Sequence, residues 1–176
     1  TPPPAAIPFS METAEELSKY RAVLETSGGE ITISFRPDKA PEHVRNFLRL
    51  ATAGVYDGTT FHRVVHGFVI QTGMVSTRSA PLTQAQQAWV HTLQPEFNDI
   101  AHVAGTVSMA RLDDPASAST SFFICTGPAP SLDGKYSAFG SVVSGQDVVS
   151  AIDQAAVDGD KPRERIELRR VRIEKP

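Results

Sequence analysis

The chain has one cysteine in 176 residues, so no disulfide can form within it. Cys125 sits in the apolar run SFFIC, where a buried structural thiol is expected over a reactive one. No apolar stretch approaches the roughly 20 residues that span a bilayer. There is no GxGxxG after a strand, no P-loop, no GxSxG elbow, no HExxH and no CxxC, which removes the commonest nucleotide, nucleophile and metal signatures. Excess basic charge is also missing: the formal net charge is −3. The one basic run, RERIELRRVR, interleaves Ile166, Leu168, Val171 and Ile173 with its charges. That pattern suits a half-buried strand with a solvated face better than a nucleic-acid surface.

What is present fits one ordinary globular domain, with 40% hydrophobic and 21% charged residues. The start, TPPPAAIPFS, lacks an initiator methionine; processing and trimming explain it equally, and on the first reading an exported or bacterial periplasmic protein is expected rather than a cytoplasmic one. Residues 1–19 read as a Pro-rich tail with a short helix capped by Ser10, and 20–176 as the folded domain. YRAVLET and EITISF flank a Ser-Gly-Gly turn and predict a β-hairpin. In PEHVRNFLRLATAG, Val44, Phe47, Leu48 and Ala51 share one helical face, with Pro41 in the first turn and Gly54 after the last. Residues 75–98 have no sustained period and read as a long surface loop, with Trp89 as its anchor. AGTVSMA, SFFICTG and SAFGSVV are short strands; SGQDVVSAIDQA is a second helix, with Ser144 as its cap. Many short strands and two good helices predict a mostly-β barrel or sandwich.

The segment TTFHRVVHGFVIQTGM (59–74) reads as two strands around a glycine turn. It carries Arg63 among Phe, Val and Ile, and no Asp or Glu occurs between Asp57 and Glu96. A half-buried arginine without a neighbouring carboxylate is unusual. His62 and His66 stand four apart, but a strand–turn context spoils the shared face a metal would need, and no third ligand is near. Asp113 and Asp114 lie among turn residues and read as solvated. No metal or cofactor is expected. An isolated arginine, a glutamine at position 71 and apolar neighbours suit a groove for something neutral and carbonyl-rich, such as a peptide.

FHRVVHGFVIQTG, GTVSMAR, SFFICTG, LDGKYSAFG and VVSGQDVV, in that order, resemble the cyclophilin-type peptidyl-prolyl cis-trans isomerases, with a bacterial character. The resemblance implies a closed eight-stranded antiparallel β-barrel capped by two helices, acting on proline-containing polypeptides and assisting folding as a monomer. It implies Arg63 as the catalytic residue, with Phe68, Val69, Gln71, Ala110, Arg111, Ser121, Phe123, Leu132 and Tyr136 as the substrate-binding set. Several positions depart from the family pattern. Val69 stands where methionine is frequent, Arg111 where asparagine is, Ser121 where glutamine is and Tyr136 where many eukaryotic members carry histidine. Ser131 replaces a tryptophan, which implies weak cyclosporin binding.

That chemistry would explain why no nucleophile is found. The X-Pro amide rotates slowly because partial double bonding sets a barrier of roughly 18–20 kcal/mol. A twisted amide localises the nitrogen lone pair, so a fixed cationic donor in an apolar pocket stabilises it without bond formation. An acceleration of about 10⁵ needs only about 7 kcal/mol of such help. The competing expectation is a module that binds proline peptides, or a chaperone, with little catalysis.

Overall fold

The computed structural model describes residues 7–175; the Pro-rich TPPPAA segment lies outside them. The chain runs through a short helix α1 (Ala14–Leu17), strands β1 (Arg21–Thr26) and β2 (Gly29–Phe35), and helix α2 (Pro41–Thr52). Short strands β3 (Thr59–Thr60), β4 (Arg63–Val65) and β5 (Val69–Thr72) follow, and then helix α3 (Gln84–Gln87). Strands β6 (Thr106–Met109), β7 (Phe122–Cys125) and β8 (Ala138–Ser144) lead to helix α4 (Gln146–Asp153). The hairpin β9 (Val157–Asp158) and β10 (Lys161–Pro162) precedes the last strand, β11 (Glu167–Glu174).

Nine strands form one antiparallel sheet in the order β3-β11-β1-β2-β8-β6-β7-β5-β4, and β9 pairs with β10 alone. The expected closed barrel of eight strands is therefore met as a strongly curled nine-stranded sheet. The extra strand has a local cause. The two edges, β3 and β4, are one stretch of chain that changes partner at its middle: Phe61 N–H donates to Ile166 O, and the next residue, His62, donates to Gln71 O. The curl wraps an apolar interior in which Leu24, Ile31, Ile33, Val64, Ile70, Val107, Phe122 and Ile124 are fully buried.

Helix α2 packs against β11 and β8 and buries Val44, Phe47, Leu48 and Ala51, the face read from the sequence. Its N-cap, Ala40, has no side chain to offer, and the orphan N–H groups of the first turn need acceptors. Glu96 supplies them from the other side of the chain: its carboxylate accepts from Glu42 N at 3.3 Å, His43 N at 2.8 Å and the buried His43 ring at 2.6 Å. Burial alone would raise its pKa, but the His43 ring and the two backbone donors together hold it below the ordinary glutamate value. A carboxyl depressed in the folded state stabilises above its unfolded pKa, roughly 4.3, and loses that contribution as pH falls through the folded value. The thermal midpoint of Glu96→Gln is thus expected to lie below that of the wild type at pH 7. The gap should narrow as both are titrated below about pH 4.

Four sequence expectations shift. Thr13, not Ser10, caps α1 through a reciprocal box with Glu16, while Ser10 accepts from Arg49. Leu17 of that helix is buried in the main core, so packing does not stop at residue 20. Helix α4 starts on Gly145 at φ +88°, because Ser144 is still the end of β8; a Cβ there would sit 2.3 Å from Glu30 O. The 75–98 segment is not structureless: it holds a 3-10 turn (Val75–Thr77) and α3, capped by a Thr83–Gln86 box. Trp89 packs half-buried against the core, as the anchor reading requires.

Strand β11 also differs in detail from an alternating one. Leu168 and Val171 both point inward, three apart. Register makes this possible: Glu25 faces Arg170 while Thr26 faces Leu168, which leaves Arg169 as a bulge that resets the pleat.

Candidate active site

Alternation along β5 and β7 gives each strand two faces. Ile70, Phe122 and Ile124 enter the main core, whereas Val69, Phe123 and Cys125 form a second, smaller apolar cluster on the outer face with Ala129. Register then builds the site. Arg63 lies opposite Gln71, Gln71 opposite Phe123 and Phe123 opposite Ser108, so four strands contribute one row of side chains across the sheet.

Three members of this row border a cavity of about 140 Å³ lined by Arg63, Phe68, Val69, Gln71, Ala110, Arg111, Phe123, Leu132 and Tyr136. A volume near 150 Å³ takes one small ring. Nine of the ten residues singled out from the sequence therefore meet here. The tenth, Ser121, lines an adjoining hollow that shares Gln71, Ala110 and Arg111 with the first.

Each wall has its own support. The Tyr136 ring meets Phe123 edge-on at 5.7 Å, and the Arg111 guanidinium lies 4.6 Å above Tyr136. Arg111 is held there by the carbonyls of Leu112, Asp113 and Lys135. Its side chain thus becomes part of the pocket's frame. Behind Phe123, the ring of buried His102 stacks at 6.1 Å. Its Nδ1 lies 2.9 Å from Asp133 Oδ1 and its Nε2 3.0 Å from Ser108 Oγ. The His102 backbone N–H, then its ring, hold the Asp133 carboxyl below the usual aspartate range. The Cys125 thiol is fully buried, and burial, with Asp133 nearby, pushes its pKa up to about 12, so it is an inert packing group. His102, Ser108 and Asp133 were not read from the sequence; no local spacing marks them.

Arg63 does have a carboxylate. Its Nε donates to Asp160 Oδ2 at 3.2 Å, and its Nη1 reaches Gln71 Oε1 at 3.4 Å. The partner is 97 residues away in sequence, which is why the arginine looked alone. His66 and His62 diverge in their uses: His66 Nε2 contacts Ala155 O, while His62 is half-buried and held below the ordinary imidazole value by burial.

The β4–β5 turn that carries Phe68 is tied down from below. Buried Asp153, at the end of α4, accepts from Gly67 N at 3.0 Å and from Thr126 Oγ1 at 2.8 Å, and Thr126 N donates to Phe68 O. Gly127 runs so close beneath that an added Cβ would lie 2.3 Å from Gly67 O. Gly127→Ala must therefore lift the turn. The expected cost is about 1–3 kcal/mol of stability from overpacking. Displacing Phe68 should also reduce kcat/KM on an X-Pro peptide roughly tenfold. Kinetics beside a denaturation curve would check both.

The fold and site together are a curled antiparallel sheet bearing a one-ring cleft walled by Phe68, Val69, Phe123 and Leu132 and edged by a guanidinium and an amide. The chain belongs to the cyclophilin-type peptidyl-prolyl cis-trans isomerases: the family model for these enzymes matches residues 21–173. It is 40% identical over 141 residues to a peptidyl-prolyl cis-trans isomerase of Arabidopsis thaliana, covering 79% of this chain and 62% of that one. With a probable peptidyl-prolyl cis-trans isomerase of Brucella abortus it shares 37% over 140 residues, 76% of this chain and 71% of the relative. A crystal structure of a Cryptosporidium parvum cyclophilin-type isomerase, obtained in the presence of the dipeptide Ala-Pro, has the same fold. That match has a TM-score of 0.78 at 24% identity and covers 89% of this chain and 99% of the other.

Proposed function

We propose that the protein catalyses rotation about X-Pro bonds in polypeptides, with proline seated on Phe123 and Phe68 and Arg63 as the donor to the twisted amide. The observation that carries this reading is the cross-strand row Arg63–Gln71–Phe123, which sets a cationic donor at the rim of a one-ring cavity walled by Phe68, Val69, Phe123 and Leu132. Gln71 lies between them and steadies the guanidinium from its own strand. The same reading takes proline-containing chains as partners, weak cyclosporin binding because Ser131 offers no indole, and a monomer as the working form. Exchange NMR on an X-Pro peptide tests it directly: cross-peaks between cis and trans forms should grow within a mixing time of under a second, against about 10–100 s without catalyst. Line shifts without exchange would leave the second reading, a groove that binds proline peptides and does not turn them over. That reading draws on Ser121, which lies outside the proline-sized cavity.

A further inference from the structure

We infer that Asp160 is a positioning residue for Arg63, holding the guanidinium so that its terminal N–H groups face the cavity; this rests on the isomerase reading of that cavity. An arginine side chain left to itself spreads over many rotamers, and that of Arg63 is 41% exposed. Apolar packing cannot fix such an arm.

Two polar contacts fix it instead. Asp160 Oδ2 takes Nε–H at 3.2 Å, and Gln71 Oε1 takes one Nη1–H at 3.4 Å. Of the five N–H donors of a guanidinium, these two are spent within the protein and the other three are left for a ligand. The post is anchored independently of the arm. Asp160 sits at the tip of the β9–β10 hairpin, whose two-residue loop begins with Gly159 at φ +68°, where a glycine is favoured. Its own carbonyl accepts from Val64 N at 2.7 Å, which docks the hairpin tip on β4 beside Arg63. Arg163 braces the hairpin's base through Ala156 O and Asp158. The backbone that presents the carboxylate is therefore held without the help of Arg63.

The test compares wild type, Asp160→Ala and Asp160→Asn by steady-state isomerisation and by the NMR signal of the Arg63 Nε–Hε group, assigned through its loss in Arg63→Ala. The anchoring hydrogen bond uses the main chain of Asp160, so both variants keep the hairpin. Asp160→Ala is expected to lose about tenfold in kcat with KM within twofold, and its Arg63 Hε signal should move upfield and broaden. Asp160→Asn keeps an acceptor for Nε–H and should recover most of both. Unchanged kcat and Hε signal in the alanine variant would overturn the assignment. Equal losses in both variants together with a lower melting temperature would overturn it too, making Asp160 a brace for the hairpin. A wild type without isomerase activity whose Hε signal still responds to Asp160→Ala would support the positioning and sink the isomerase reading instead.

Discussion

Arg63→Ala is expected to lower kcat/KM for an X-Pro peptide by about 10²–10³, with peptide affinity changed by less than about fivefold. The size follows from what the side chain can do. Removing one preorganised donor aimed at developing charge costs about 2.7–4 kcal/mol in the transition state. The ground-state amide has its nitrogen lone pair delocalised into the carbonyl and offers little to a donor there, so little binding is lost with it. Affinity comes instead from the apolar floor, where Phe123 is 4% exposed and framed by Tyr136 and His102. Arg63→Lys separates charge from geometry: an ammonium keeps the charge but cannot reach Asp160 and Gln71 as a fork does, so most of the loss should persist. If turnover and affinity fall together in Arg63→Ala, the arginine anchors the peptide and does not act on the twisted bond. Turnover that survives would place catalysis in desolvation by the pocket alone.

How much of this was legible before the fold depended on distance along the chain. The β4–β5 hairpin and α2 could be read because their signals, a glycine turn between apolar runs and a 3.6-residue face, lie within a dozen residues. The five motifs found the cavity wall residues because they preserve order, although Gln71 meets Phe123 only through a ladder between β5 and β7. Asp160 and the His102–Asp133 pair carry no local signal, and pairing across 97 and 31 residues is a product of topology alone. Two misreadings were avoidable. Thr13 and Thr83 each stand three residues before a Glu or Gln, the spacing of a capping box, and both close one. Helices of four residues are too short to show a period, so the caps were their only trace. The strand count differs for another reason: the eight strands were implied by the resemblance, and the partner switch between Phe61 and His62 sets one stretch of chain on both edges of the sheet.

Phe47→Ala is expected to be the most damaging substitution for stability and nearly silent for the site. The Phe47 ring is fully buried and meets Phe35, Tyr56, Phe122 and Phe139 at centroid distances of 5.1–5.6 Å. Deleting it leaves a cavity that four rigid rings close poorly, at a cost of about 3–5 kcal/mol. That is a large share of the roughly 5–15 kcal/mol holding a domain together, and should lower the melting temperature by roughly 10 °C. Yet the cavity lies on the opposite face of β5 and β7: Phe122 turns to Phe47, while its neighbour Phe123 turns outward. Backbone pairing of β7 with both β5 and β6 holds that strand from two sides. At 10 °C, well below its melting point, the variant should therefore keep kcat/KM within about threefold of wild type, as for sites that share no side-chain partners. A parallel loss of activity would show that β7 moves as one body and that the main core sets the height of Phe123. The insulation of the second cluster from the first would then be wrong.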